Sequence, residues 1–300
     1  MNNILSLRGV TKRFPTFFPL KDLSLRFPDF TLEDVSFDLP EGFVMGLVGK
    51  NGAGKTTIIK SILNMLRLND GSISVFGRDH LEAEREIKAR IGVVMDYTFF
   101  VEDWTPDAVE RAVAPFYPAW EKETYRKLLV KFSINPKKKI KELSRGMKMK
   151  LTTAVALSHG ADLLILDEPT SGLDPVARDE LLEILRDYMS GGNRSILFST
   201  HITSDLEKIA DYITFIDNGK IMASQPADDF LGKYFIVRGG LGILDEEQKK
   251  LLIGYREHSV GFDGLIERAL LPRLPPSVVA EPGNLDETII RLAGRRNGDE

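Results

Sequence analysis

The stretch FVMGLVGKNGAGKTTIIKSIL, residues 43–63, leaves little freedom of fold. Its first six residues predict a buried strand, and its last seven carry the apolar spacing of a helix. Between them GKNGAGKT (49–56) fits G-x-x-x-x-G-K-[ST], a turn whose chemistry is specific when it joins a strand to a helix. Gly49, Gly52 and Gly54 let successive backbone N–H groups point inward at phosphate oxygens, and the helix N-terminus adds partial positive charge. Lys55 reaches the terminal phosphates and Thr56 offers its hydroxyl to magnesium, with Asn51 and Thr57 counted among the binding residues. A nucleoside triphosphate, ATP, held with Mg2+ is the expected ligand.

The rest of the chain repeats the alternation. The runs IGVVM (91–95), LLIL (163–166), SILFS (195–199) and YITFI (212–216) are short and apolar, and helical patterns follow or precede them. This predicts an α/β fold built on a mostly parallel sheet. Strand signals vanish between Trp104 and Ser158, so an all-helical subdomain, about 101–159, is expected to interrupt the sheet. After Gln225 glycine and proline breaks surround two strand-like pieces, KYFIVRGG and LLIGYREHS. The expected division is an ATPase domain over 1–225 and a small α+β C-terminal subdomain over 226–300. RFPTFFPLKDLSL and RFPDFTLEDVSF, residues 13–25 and 26–37, are near copies, and two copies are too few for a solenoid.

Ligands of open parallel sheets bind beyond the carboxyl ends of the strands. The residues just past each predicted strand are therefore informative: the phosphate loop, Asp96, the pair Asp167 and Glu168, and Thr200 with His201. An acidic pair at a strand end also serves as an ordinary cap. Beside a phosphate loop, Asp167 is expected to hold magnesium through its water shell and Glu168 to polarise the attacking water as general base. His201, one of four histidines, is expected on the same rim as a hydrogen-bond donor to the γ-phosphate. Asp174 before Pro175 reads as a helix N-cap.

Charge narrows the partners. Lys+Arg number 40 against 44 Asp+Glu, a net charge of −4, which argues against a chain that neutralises nucleic acid. Cysteine is absent, excluding disulfides, thiol nucleophiles and Cys-ligated metal sites. The N-terminal MNNILSLRGVTKRF lacks the marks of a secretory signal. No uncharged apolar stretch approaches the roughly 20 residues that span a bilayer. Work at a membrane would require another chain to do the spanning.

ELSRGMKMKL (142–151) is ambiguous alone: a basic patch, or a helix start shaped for phosphate. Taken with the other motifs it resembles part of the ATP-binding subunits of ABC transporters. GKNGAGKT is similar to their Walker A loop, LLILDEP to Walker B, SGLD (171–174) to the D-loop, His201 to the switch histidine, and LSRGM (143–147) to the signature motif. The resemblance covers about residues 1–225 and is strongest to type-2 exporters, including those of peptide-antibiotic resistance. It implies a P-loop NTPase fold with an antiparallel N-terminal β region, and an ATPase that dimerises head to tail around two MgATP, as a homodimer or with a related ATPase subunit. Ser144, Gly146 and Asp174 are then expected at the partner's nucleotide, with a helix beginning near Met147. Lys148 and Lys150, two positions apart, share no helix face and are expected to be solvated, like Lys137, Lys138 and Lys139. The implied partner is an integral membrane permease subunit, reached from the cytoplasmic face of the cell membrane, and no nucleic acid is expected. A soluble ABC ATPase of translation or DNA maintenance fits less well, having two cassettes or long coiled coils. A P-loop kinase or GTPase leaves LSRGM and SGLD unexplained.

Three positions depart from the family pattern. Asp96 replaces a glutamine; it either ligates magnesium or turns toward the membrane partner. Arg145 and Met147 replace a glycine and a glutamine, and Arg145 either adds charge at the interface or faces solvent. The aromatic that stacks on adenine is either Phe27 or Phe14, with spacing to the phosphate loop favouring Phe27.

Overall fold

The computed structural model describes residues 2–14 and 30–294. β1 (Asn3–Arg13) and β2 (Thr31–Pro40) pair antiparallel, and the chain then enters β3 (Val44–Val48), which is buried at every residue. The phosphate loop leads from β3 into α1 (Lys55–Ile62). β4 (Asp70–Val75) and β5 (Arg78–Asp79) return to β1, completing an antiparallel sheet of order β2-β1-β4-β5. α2 (Glu84–Ala89) then feeds β6 (Ile91–Val94).

From there to β7 (Leu163–Asp167) the chain is helical, in α3 (Pro106–Val113), α4 (Lys122–Lys131) and α5 (Arg145–Leu157). Two of the three starts are written locally. Thr105 caps α3 by accepting from the Ala108 N–H, with Pro106 at the first helical position, and Ser144 caps α5 by accepting from the Met147 N–H. That cap starts α5 two residues before Met147, where the sequence alone put it, so Gly146 lies inside the first turn.

α6 (Pro175–Ser190), β8 (Ser195–Thr200), α7 (Thr203–Ile209), β9 (Tyr212–Asp217) and β10 (Lys220–Pro226) complete the central sheet, of order β10-β9-β3-β8-β7-β6. Its strands run parallel except for the edge strand β10, as the alternating pattern predicts. Side chains of alternate residues leave opposite faces of a strand, and the core divides accordingly. Met45, Leu47, Ile165 and Leu197 join α1 and the antiparallel sheet in one apolar cluster; Val44, Val48, Leu164, Leu166, Ile196 and Phe198 join the helices on the other face.

The last portion comprises α8 (Ala227–Lys233), β11 (Tyr234–Gly239), α9 (Glu246–Lys250), β12 (Ile253–His258), β13 (Gly261–Glu267), β14 (Val279–Pro282) and α10 (Leu285–Gly294). Its strands form a third sheet, antiparallel, of order β12-β13-β11-β14. It is not set apart from the core: Phe230, Tyr234, Ile236, Leu285 and Ile289 are buried in the same cluster as the helical face of the central sheet. Among the described residues no helix is long and apolar enough to cross a membrane.

Candidate functional site

The carboxyl ends of β3, β6, β7 and β8 deliver their residues to one cleft of about 660 Å³. Asn51, Gly52, Gly54, Lys55, Thr56, Thr57, Asp96, Asp167, Glu168 and His201 all line it. The loop's glycines are required by space as well as by conformation. Gly54 precedes α1 at φ 117°, and a Cβ on Gly49 would stand 2.3 Å from the Ile216 carbonyl oxygen.

Lys55 is nearly buried, its ammonium donating to the Gly49 carbonyl at 2.7 Å and lying 3.2 Å from Glu168. A buried cation turned onto its own loop is a group poised for an anion that the loop would cradle. The Thr56 hydroxyl donates to Asp167 at 2.8 Å, and the Ser199 hydroxyl donates to the other Asp167 oxygen at 3.0 Å. Burial nonetheless pushes the Asp167 carboxyl above its ordinary range, a cost that a cation beside it would relieve. Among the described residues no cluster of three or more His, Cys, Asp or Glu side chains is placed to hold a metal alone. One hydroxyl and one carboxylate suit magnesium, which takes few protein ligands and completes its shell with water and substrate phosphates.

Glu168 sits at φ 53°, a left-handed conformation that a non-glycine residue adopts at a cost. It turns its carboxylate to His201, whose Nδ1 lies 2.7 Å from one oxygen and whose backbone N–H donates to the same oxygen at 3.3 Å. The candidate base and the histidine therefore hold one another in place across two strand ends.

The signature residues lie at the start of α5. Gly146 faces Leu173 of SGLD so closely that a Cβ would come within 3.0 Å of its side chain. Asp174 caps α6 through the Val176 and Ala177 N–H groups, which hold its carboxyl below the usual range. Lys148 pairs with Glu102 and Lys150 with Glu180, so both lysines are used within the chain. Lys139 pairs with Asp103.

Two expectations meet a different arrangement. Asp96 lines the cleft, but its carboxylate accepts from the Arg145 guanidinium at 2.5 Å. Phe27 lies outside the described residues, whereas Phe30 lines the cleft and Phe14 stands with its ring centroid 6.3 Å from that of Phe30. The second RFP copy carries Phe30 three positions after Phe27, and that spacing is the signal in the sequence that points to it.

A profile of the family described as ABC transporter matches residues 32–171. The bacitracin transport ATP-binding protein BcrA of Bacillus licheniformis is 32% identical over 200 residues, 66% of this chain and 65% of that one. The Nod factor export ATP-binding protein I of Neorhizobium galegae is 32% identical over an alignment covering 92% of this chain and 84% of that one. A solved ATP-binding subunit of an ABC transporter superposes with a TM-score of 0.65 at 27% identity, over 76% of this chain and 91% of the other. With its phosphate loop, acidic strand end and histidine assembled on a parallel sheet of this topology, the chain belongs to the ATP-binding subunits of the ABC transporter family.

Proposed function

We propose that this chain is the ATP-hydrolysing subunit of an exporter, acting with a second ATPase protomer and with an integral membrane permease at the cytoplasmic face of the cell membrane. The observation that carries the hydrolytic part is the convergence of Lys55, Thr56, Asp167, Glu168 and His201 on one cleft. Export is the role in the name of the Nod factor relative and transport the role in that of BcrA, and the cargo is chosen by the permease.

Thr56 and Asp167 would hold magnesium, which would supply positive charge against the triphosphate. Lys55 exchanges its loop carbonyl for a terminal phosphate oxygen. Glu168 accepts a proton from the attacking water, and His201, oriented by Glu168, donates to the γ-phosphate as charge shifts outward. Phe14 and Phe30 supply an aromatic surface for the base. Ser144, Gly146 and Asp174 complete the partner's site. Each nucleotide then binds the closed pair better than the open one, which is the differential affinity any ligand-driven motion requires. Tyr97, Phe99, Val101 and Trp104 follow β6 with large exposed apolar faces, and this segment supports a contact with the permease.

The test is co-expression with the membrane protein of the adjacent reading frame. The proposal expects the two to purify together from membranes and to hydrolyse ATP, with Glu168→Gln lowering turnover by about 10²–10⁴-fold. A chain that hydrolyses ATP at the same rate with Glu168→Gln, or that never associates with a membrane subunit, contradicts it.

A further inference from the structure

Two of the departures from the family pattern meet in space. Arg145 and Asp96, 49 positions apart, form an ion pair between the first residue of α5 and the residue two past the end of β6. The guanidinium also lies over Gly172 of SGLD: a Cβ at Gly172 would stand 3.6–3.8 Å from Arg145 Cδ, Nε and Cζ. One side chain thus touches the acidic strand end that lines the nucleotide cleft and the loop that leads into Asp174.

Two physical facts bear on what the pair is for. Arg145 stands at the N-terminal end of a 13-residue helix whose first turn carries no acidic residue, an end that repels a cation. Its charge there needs an anion from elsewhere. Asp96 supplies one in the single protomer, but the side chains are 60% and 48% exposed, and a hydrated pair of this kind holds weakly. Asp96 in turn lines its own protomer's cleft with Thr56, Asp167 and Glu168, where a further uncompensated carboxylate opposes a triphosphate.

We propose that Arg145 is a further residue of the hydrolytic site, acting in trans: on closure of the ATPase pair it exchanges Asp96 for the γ-phosphate of the partner's nucleotide. The inference rests on the head-to-tail dimer proposed above. In the open protomer Asp96 holds the guanidinium of the residue between Ser144 and Gly146, the two residues proposed to close over the partner's nucleotide. In the closed pair the planar, permanently charged fork meets the phosphate oxygens and stabilises the charge they gain as the bond to the leaving group breaks. Asp96 is thereby a competitor of the phosphate, and removing it eases closure.

The experiment uses the full chain with Glu168→Gln as parent, following dimer mass by light scattering as MgATP is titrated. Arg145→Ala is expected to raise the ATP concentration at half-maximal dimer about tenfold or more, the weight of a charge-assisted contact. Arg145→Lys is expected to fall between, retaining charge but not the fork. Asp96→Ala is expected to lower the midpoint, and the double variant to behave like Arg145→Ala. In the Glu168 background, Arg145→Ala is expected to lower kcat as well as to raise KM. A parent that dimerises equally well with and without Arg145 overturns the exchange alone. So does an Asp96→Ala variant that weakens dimerisation as much as Arg145→Ala, since the pair is then only a strut. A parent that stays monomeric at saturating MgATP removes the dimer reading, and the exchange with it.

Discussion

Asp167 is a carboxylate whose surroundings oppose its charge. Burial raises its carboxyl above the ordinary value although Thr56 and Ser199 donate to it. Because the folded value is the higher one, the unfolded chain ionises first as pH rises. The resulting penalty on the nucleotide-free fold is absent below the unfolded value and complete above the folded one. Asp167→Asn is therefore expected to raise the melting midpoint of the nucleotide-free protein at pH 7 by about 2 °C, while removing magnesium-dependent hydrolysis. The gain should vanish at pH values below the unfolded carboxylate range. A lower midpoint at neutral pH would show that the ionised carboxylate is a structural tie and not a stored site for a cation. Among single residues much was legible. Gly54, Lys55, Thr56, Asp167 and Glu168 are tied to short, contiguous patterns whose chemistry demands those side chains at those spacings. The Arg145–Asp96 pair was not legible, because nothing local couples residues that the helical insertion separates.

Between elements, the last helix is tied to the catalytic rim. α7 begins two residues after His201, and its Glu207 accepts from the Leu285 N–H at 2.8 Å, capping the start of α10. The Thr203 hydroxyl donates to Asp286 at 3.1 Å, and Leu285 is buried in the main cluster. α10 is thus a buttress for the helix that follows the histidine. Leu285→Ala is expected to destabilise the whole chain in a denaturant titration by about 3 kcal/mol, whereas Ile290→Ala, at an exposed position, should change it by less than about 0.5 kcal/mol. Equal, small effects would mean that the C-terminal portion is not part of the cooperative core. The parallel strands were readable because they are buried on both faces and appear as unbroken apolar runs. β14 was not, since its four residues are all exposed on a sheet edge and carry no apolar pattern. α5 starts two residues before Met147 because a serine cap, not the first apolar residue, fixes where a helix begins.

For the molecule entire, the sequence indicated a sheet with its ligand at the carboxyl rim, an inserted helical portion, and a C-terminal appendage. It did not reveal that the appendage shares its core with the ATPase, because the residues that join them, Phe230, Tyr234 and Leu285, are scattered and carry no motif. The proposed function turns on each nucleotide site being finished by a second protomer, with Ser144 and Gly146 closing over the partner's Lys55 and Thr56. Its decisive test is the solution mass of the Glu168→Gln protein at saturating MgATP, with and without Ser144→Arg. A dimer that Ser144→Arg abolishes is expected, together with a loss of turnover when Ser144→Arg is placed in the otherwise unaltered chain. A monomer at every ATP concentration, with Ser144→Arg leaving turnover untouched, would contradict it.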